Sequence, residues 1–182
     1  MIEAVGSGVR GLAVGDHVAS RIIAVDPGEF KREMAMRVGA TDALADISEA
    51  AGLARSLTNG QGADAAIICV GVLKPEHVAA AFAAIRKAGT LVVTAAASVR
   101  EVTVSPLSLL ELTMYQKRIQ GAIYGMMSPS KDVPRLLGLW RNGQLRLEEL
   151  VSQRYELDAV NKGYADMHAG RNIRGLVVFG EG

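Results

Sequence analysis

The chain has 182 residues, 49% of them hydrophobic, and its 20 Lys and Arg against 19 Asp and Glu give a net charge of +1. This length suits one domain with a small appendage, and the apolar fraction is sufficient for a hydrophobic core. The near-neutral charge, without a long basic run, excludes nucleic acid and anionic membranes as expected partners.

The N-terminus and the cysteine content indicate a cytoplasmic protein. No apolar stretch approaches the roughly 20 residues of a membrane-spanning helix, and residues 1–4 lack the basic-then-apolar order of a signal peptide. Cys69 is the single cysteine, which excludes an internal disulfide and fits a reducing compartment. His17, His77 and His168 lie far apart without the spacing of zinc ligands, so no metal site is expected.

A glycine-rich pattern near the N-terminus has two interpretations. Gly6, Gly8 and Gly11 have the G-x-G-x-x-G spacing of a dinucleotide-binding turn, and residues 1–5 before them are a candidate strand. The following segment is a poor helix former, however, and residues 15–16 favour a hairpin turn between short strands. Both interpretations stay open.

Residues 21–26 organise the rest of the chain. The four consecutive apolar residues at 22–25 predict a parallel strand that is covered on both faces. Asp26 then lies at the carboxyl end of that strand, where an acid can accept hydrogen bonds from a ribose diol. Alternatively, Asp26 only caps the turn at residues 27–29 or the helix that follows.

From Arg21 onward, strand and helix patterns alternate. Helices are predicted at 29–39, 47–57, 75–87, 107–112, 131–142 and 157–168. Strands are predicted at 22–25, 65–70, 90–94, 118–124 and 175–179, with short extended pieces near 43–44 and 102–104 and a turn at 59–62. Cys69 is expected to be a small core residue of the second of these strands. This alternation predicts an α/β fold with a doubly wound parallel sheet.

Residues 21–182 resemble the cofactor-binding half of the zinc-type medium-chain alcohol dehydrogenases. The stretches that carry the resemblance are 22–26 with Lys31, 39–41, 70–71, 89–90, 121–125 and 172–175. The later part is similar to the nitrosodimethylaniline-dependent actinobacterial branch at 111–113, 135–137, 143–145, 148–151 and 163–167. The resemblance implies a Rossmann-like domain that binds NAD.

The resemblance also implies roles for nine positions. Asp26 and Lys31 would bind the adenosine ribose, and Arg174 would pair with the pyrophosphate. The remaining positions would line the cofactor crevice or face the nicotinamide: Val70, Gly71, Val93, Ala95, Ala122 and Tyr124. An acid at Asp26 repels a 2′-phosphate, which favours NAD over its phosphorylated form.

Several of these positions also have a simpler interpretation. Val70, Val93 and Ala122 would be core residues of a buried sheet whether or not a ligand binds. Lys31 would be a solvated helix charge, and Arg174 would pair with Glu181 or another carboxylate.

Residues 1–20 resemble a piece of the same family's catalytic domain and run directly into Arg21. The zinc ligands, the first Rossmann strand and the glycine-rich phosphate turn that the family has between these segments are absent. We therefore expect an incomplete sheet at its first strand, with residues 1–20 as a remnant and 21–182 as the NAD-binding domain. Residues 1–11 are a hypothetical replacement for the missing strand and turn.

Two functions from different classes follow. The first is an NAD-dependent alcohol dehydrogenase-type oxidoreductase by family, here mainly its cofactor-binding domain, with no catalytic residues and no zinc of its own. A small alcohol or aldehyde would be a partner only if a catalytic domain is supplied. The second is a non-catalytic nucleotide-binding or dimerisation module. The family's cofactor domains pair through the region that matches residues 102–112, so a homo-oligomer is expected.

Overall fold

The computed structural model describes residues 21–96 and 106–180. The strands are β1 (Ile23–Val25), β2 (Asp42–Leu44), β3 (Ala63–Ile68), β4 (Ile85–Val93), β5 (Arg118–Gly121), β6 (Val151–Glu156) and β7 (Arg174–Val178). The α-helices are α1 (Glu29–Val38), α2 (Ala50–Ser56), α3 (Pro75–Ala84), α4 (Leu109–Met114), α5 (Pro129–Arg141) and α6 (Val160–His168). Short 3₁₀ turns lie at Ile47–Glu49, Tyr124–Met126, Glu148–Leu150 and Leu157–Ala159. The predictions for residues 1–11, 15–16, 102–104 and Glu181 lie outside the described residues.

Local sequence signals explain where several helices begin and end. α1 ends at Gly39, whose φ of 122° is a conformation that glycine adopts more readily than other residues. α3 begins with Pro75, which has no N–H to leave unsatisfied in the first turn. α4 begins after Ser108, whose hydroxyl accepts a hydrogen bond from the N–H of Glu111 at 3.2 Å.

The strands of the described residues form three sheets, in the orders β1-β2, β3-β4-β5 and β6-β7. The pairs β3/β4, β4/β5 and β6/β7 are parallel, which confirms the predicted α/β fold with parallel strands. Within the described residues, β1 and β3 each have one strand neighbour. That the sheet is incomplete at its first strand stays a prediction.

The described residues divide into two compact units. The sheet unit comprises residues 25–27, 44–96 and 106–132 and contains the β3-β4-β5 sheet. The C-terminal unit comprises residues 21–24, 28–43 and 133–180 and contains α1, α6 and the β6-β7 sheet.

The core of the sheet unit lies on one face of β3-β4-β5. Leu91 is fully buried there, in a cluster with Ile68 of β3 and with Phe82 of α3. On the opposite face, Ile67 is 66% exposed, although its register partner Val92 is half-buried. Since successive strand residues point to opposite faces, the helix layer covers one face of this sheet and leaves the other accessible.

Two predictions of burial are wrong. Residues 22–25 were expected to be covered on both faces, but Ile22 is 47% exposed and Val25 is also exposed. Cys69, expected in the core, is exposed beyond the end of β3. An apolar run shows that a strand can be buried, and only the surrounding layers decide whether it is.

Some predicted boundaries are also wrong. The helix predicted at 75–87 ends at Ala84, because Ile85 is extended and pairs with Ala63 of β3. The strand predicted at 118–124 ends at Gly121, because the chain turns at Tyr124, which has a φ of 48°. No strand was predicted where β6 lies, since its sequence is mostly polar.

Candidate functional site

The carboxyl ends of β3, β4 and β5 lie level with one another. Ile68 is in register with Val93, and Val93 is in register with Gly121. Beyond these residues, the N–H of Thr94 donates to Ile68 O at 3.1 Å, and the N–H of Ala122 donates to Val93 O at 2.9 Å. The segments that follow three parallel strands therefore begin side by side, at the kind of sheet edge where open α/β folds bind ligands.

Six of the nine predicted site residues belong to this carboxyl edge or to the segments that follow it: Val70, Gly71, Val93, Ala95, Ala122 and Tyr124. A further hydrogen bond, from the N–H of Leu73 to Ala96 O at 3.1 Å, joins the segment after β3 to the segment after β4. The structure thus brings together residues that are far apart in the sequence.

The exposure of these residues tests the expectation that Val70, Val93 and Ala122 are core residues. Val93 and Ala95 pack against the core cluster, as expected of core residues. Ala122 is half-buried, whereas Val70 and Tyr124 are exposed, so the interpretation of Val70 as a core residue is wrong. The N–H of Ala122 is already donated to Val93 O, which leaves the carbonyl of Ala122 for any other contact.

Asp26 belongs to the same unit as the carboxyl edge. It directly follows β1, its side chain is half-buried, and its N–H donates to Leu44 O at 3.1 Å. The N-cap residue of α1 is Gly28 rather than Asp26. Asp26 therefore occupies the strand-end position expected from the sequence.

The two predicted cations, Lys31 and Arg174, belong to the C-terminal unit. Lys31 is half-buried on α1, and its Cε lies 3.9 Å from the position that a Cβ of Gly170 would take. Arg174 is exposed at the start of β7, in register with Val151 of β6.

The C-terminal unit contains a buried polar cluster that the sequence patterns did not predict. The hydroxyl of Tyr155 donates to Asp166 Oδ2 at 2.9 Å and accepts from Asn172 Nδ2 at 3.2 Å. Arg171 binds Asp166 Oδ1 through Nε at 2.8 Å. A Cβ at Gly175 would lie 2.8 Å from Tyr155 Cε2, so glycine permits the close approach. The members come from β6, from α6, from the segment before β7 and from Gly175 in β7, and no short-range spacing predicts their contact.

The pKa of Asp166 is lowered, first by the hydrogen bond from Arg171 and then by that from Tyr155. A carboxyl group whose pKa is lower in the folded state stabilises the fold above its unfolded pKa, about 4. That contribution is lost as the pH falls through the folded pKa. We expect Asp166→Asn to lower the urea midpoint of unfolding at pH 7, with a smaller difference from the wild type below about pH 4.

Equilibrium urea unfolding across this pH range, followed by circular dichroism, measures the effect. Asp158→Asn, in the exposed turn before α6, is the control and should keep a pH profile close to that of the wild type. An Asp166→Asn deficit that is equally large at every pH would contradict the assignment.

The described residues do not fit a metal centre. Residues 21–96 and 106–180 contain no group of three or more His, Cys, Asp or Glu side chains placed to hold a metal ion. Nδ1 of His77 accepts a hydrogen bond from the N–H of Lys74 at 3.3 Å, and His168 ends α6 in the other unit. In the same ranges, no helix is both long and apolar enough to span a membrane.

Comparison with known families decides the ancestry of the chain. The profile described as zinc-binding dehydrogenase matches residues 4–141. The chain belongs to this family. This confirms the resemblance found in the sequence and agrees with the Rossmann-like arrangement of the described strands.

Individual relatives of the chain support the assignment. An NDMA-dependent alcohol dehydrogenase of Amycolatopsis methanolica is 42% identical over 174 residues, which are 95% of this chain and 47% of the relative. Alcohol dehydrogenase B of Mycobacterium tuberculosis is 38% identical over 180 residues, with 97% and 48% covered. The crystal structure of benzyl alcohol dehydrogenase from Acinetobacter calcoaceticus matches with a TM-score of 0.80 and 26% identity, covering 89% of this chain and 43% of that one. The chain spans less than half the length of these relatives.

Proposed function

We propose that this chain binds NAD at the carboxyl edge of β3-β4-β5, as the cofactor-binding half of an NAD-dependent alcohol dehydrogenase-type oxidoreductase. The observation that carries the proposal is the level register of Ile68, Val93 and Gly121, which aligns three strand ends at one edge. The relatives are named as alcohol dehydrogenases, which supports the reaction class.

In this proposal, Asp26 accepts hydrogen bonds from the adenosine ribose diol. Lys31 contacts the same ribose, and Arg174 pairs with the pyrophosphate, as the family resemblance implies. The positions that line the cofactor crevice or face the nicotinamide are Val70, Gly71, Val93, Ala95, Ala122 and Tyr124.

Alcohol oxidation in this proposal needs zinc ligands that the described residues do not supply. A zinc-bound alcohol oxygen is a stronger acid, and the metal requires three protein ligands and one open position. A small alcohol or aldehyde is therefore proposed as a partner only where a catalytic domain is present. Binding of NAD without turnover of a primary alcohol would favour the second candidate, a non-catalytic nucleotide-binding module.

A homo-oligomer is proposed as the assembly state. The support is the exposed apolar surface of α4, which presents Leu109, Leu110 and Met114 to solvent. The cytoplasmic location and the division into residues 1–20 and 21–182 stay predictions from the sequence.

The role of Asp26 gives the test of the proposed function. We expect the wild type to bind NAD in preference to NADP, and Asp26→Asn to bind NAD about 10-fold more weakly, since it loses charge-assisted hydrogen bonds to the ribose. The NADP-to-NAD affinity ratio should rise in the same variant, because the carboxylate no longer repels the 2′-phosphate. Isothermal titration calorimetry of the purified 182-residue chain measures both affinities.

Glu29→Gln is the matched control, since it removes a nearby exposed carboxylate from the first turn of α1. Its affinities and its NADP-to-NAD ratio should equal those of the wild type. A wild-type chain that binds no NAD would reject the proposed function. An equal response of the two variants would reject the role of Asp26.

A further inference from the structure

Residues 69–74 form the connecting segment between the end of β3 and the start of α3. This connecting segment carries two positions of the proposed cofactor crevice, Val70 and Gly71. Its first four residues, 69–72, are all exposed. Because exposed side chains make few packing contacts, the position of this part depends on how the two ends of the connecting segment are held.

Backbone hydrogen bonds hold the connecting segment to the strand beside it. At its start, Ile68 O accepts from the N–H of Thr94 at 3.1 Å. Near its end, the N–H of Leu73 donates to Ala96 O at 3.1 Å, and the half-buried side chain of Leu73 packs against the core cluster. The exposed residues therefore lie between two points that the sheet unit fixes.

A side chain of α3 holds the last residue of the connecting segment, Lys74. Nδ1 of His77 accepts a hydrogen bond from the N–H of Lys74 at 3.3 Å. In return, the N–H of His77 donates to Lys74 O at 3.1 Å. Lys74 is the N-cap residue of α3, and His77 occupies the third helical position, where Glu or Gln usually makes this reciprocal contact. Here a half-buried imidazole supplies the acceptor instead.

We infer that His77 is a positioning residue for the cofactor crevice, an inference that rests on the proposed binding of NAD at the carboxyl edge. Its Nδ1 fixes the end of the connecting segment, which keeps Val70 and Gly71 in place before the dinucleotide binds. Ordering a loose loop on binding costs conformational entropy, and a loop that is already ordered avoids this cost. His77 acts through the connecting segment and not through contact with the dinucleotide.

Two variants separate the acceptor of His77 from the bulk of its ring. His77→Leu keeps much of the volume without an acceptor, and should bind NAD about 3- to 5-fold more weakly than the wild type. His77→Asn is smaller but keeps an acceptor oxygen at the δ position, and should bind NAD to within about twofold of the wild type. A role in packing alone predicts the opposite order. Isothermal titration calorimetry on the full chain measures the three affinities.

Hydrogen exchange without ligand gives a second readout of the same bond. Mass spectrometry should show faster amide exchange over residues 69–74 in His77→Leu than in the wild type, since the end of the connecting segment is no longer held. His77→Asn should keep the wild-type exchange in these residues. Equal exchange over 69–74 in His77→Leu and the wild type would overturn the inference.

Ser108→Ala is the matched control, since it removes a comparable bond at the start of another helix of the sheet unit. Ser108 Oγ accepts from the N–H of Glu111 at 3.2 Å and caps α4. Its loss should destabilise the unit to a similar extent and leave the NAD affinity unchanged.

The affinities distinguish failure of this inference from failure of the proposed function. If the wild type binds NAD and His77→Leu binds it equally well, this inference alone is overturned. The same holds if Ser108→Ala weakens binding as much as His77→Leu, or if His77→Asn does not restore it. A wild-type chain that binds no NAD overturns the proposed function and this inference together.

Discussion

Gly62→Ala is expected to destabilise the sheet unit by about 3 kcal/mol. Gly62 has a φ of +110°, and a Cβ at this position would lie 2.7 Å from Ala84 O and 3.2 Å from the backbone N of Arg86. A left-handed conformation costs alanine about 1–2 kcal/mol. The collision adds to this cost because its partners are backbone atoms, which cannot rotate away as a side chain does.

The collision occurs at the point where β3 and β4 first pair. Ala63, the next residue, is in register with Ile85, so a shift of Ala84 would disturb the parallel pairing of the two strands at their amino ends. The N–H of Gly62 also donates to Thr58 Oγ1 at 2.7 Å, which holds the turn close to the sheet. The loss should therefore appear in the cooperative unfolding of the sheet unit.

Gly60→Ala separates the two causes of this loss. Gly60 has a φ of +84°, but a Cβ there would meet no atom within 4 Å. This variant should lose only about 1 kcal/mol, which reports the conformational cost without a collision. Equilibrium urea unfolding gives both values, and equal losses in the two variants would show that no backbone collision occurs at Gly62.

The sequence predicted the elements that local signals define. The helix end at Gly39 and the helix start at Pro75 depend on backbone conformations that single residues favour, and both are confirmed. The alternation of apolar runs with amphipathic segments was sufficient for the α/β class, because each element type has its own period. These features can be predicted without knowing which other segment each helix or strand packs against.

The features that failed depend on a partner elsewhere in the chain. Ile85 and Arg86 continue the helical pattern of α3, but pairing with β3 and an ion pair of Arg86 with Asp64 at 2.6 Å make them extended. β6 is mostly polar, and its one buried residue, Tyr155, is held by bonds to α6 and to the segment before β7. No pattern within 85–86 or 151–156 contains these contacts.

The candidate site was also predictable only where it depends on local signals, and not where it depends on contacts between distant segments. Strand ends can be read only approximately from the sequence. Asp26 was placed correctly after its strand, whereas Val70 and Ala122, predicted inside strands 65–70 and 118–124, lie just beyond strands that end at Ile68 and Gly121. The hydrogen bonds that complete the carboxyl edge were not predictable, since they depend on the register between strands. Thr94 is the clearest case, because its hydroxyl donates to Ile68 O, 26 residues earlier in the chain.

Lys117 provides the second large prediction, because its ammonium group lies inside the sheet unit. Lys117 is only 7% exposed, although it stands between Gln116 and Arg118 in a segment that looks like surface. Its Nζ donates to Glu111 Oε2 at 2.8 Å and to Phe82 O at 2.9 Å. The same nitrogen lies 4.6 Å from the centre of the Phe82 ring, a favourable position for a cation.

Glu111→Ala is expected to lower the free energy of unfolding by about 3 kcal/mol, because it leaves the buried ammonium without its carboxylate. This is at the low end of the range for buried pairs, since the contacts with Phe82 remain. Lys117→Met should cost less, about 1–2 kcal/mol, because the side chain of Glu111 is 39% exposed and water can solvate the carboxylate that remains. The two partners of one ion pair should thus have unequal effects.

The double variant Glu111→Ala/Lys117→Met shows whether the unpaired charge causes the larger loss. With the ammonium removed, deleting the carboxylate should add little, so the double variant should be more stable than Glu111→Ala and close to Lys117→Met. Equilibrium urea unfolding of the wild type and the three variants completes the cycle. Additive losses would mean that Lys117 and Glu111 contribute independently, and that Phe82 alone holds the ammonium in the interior.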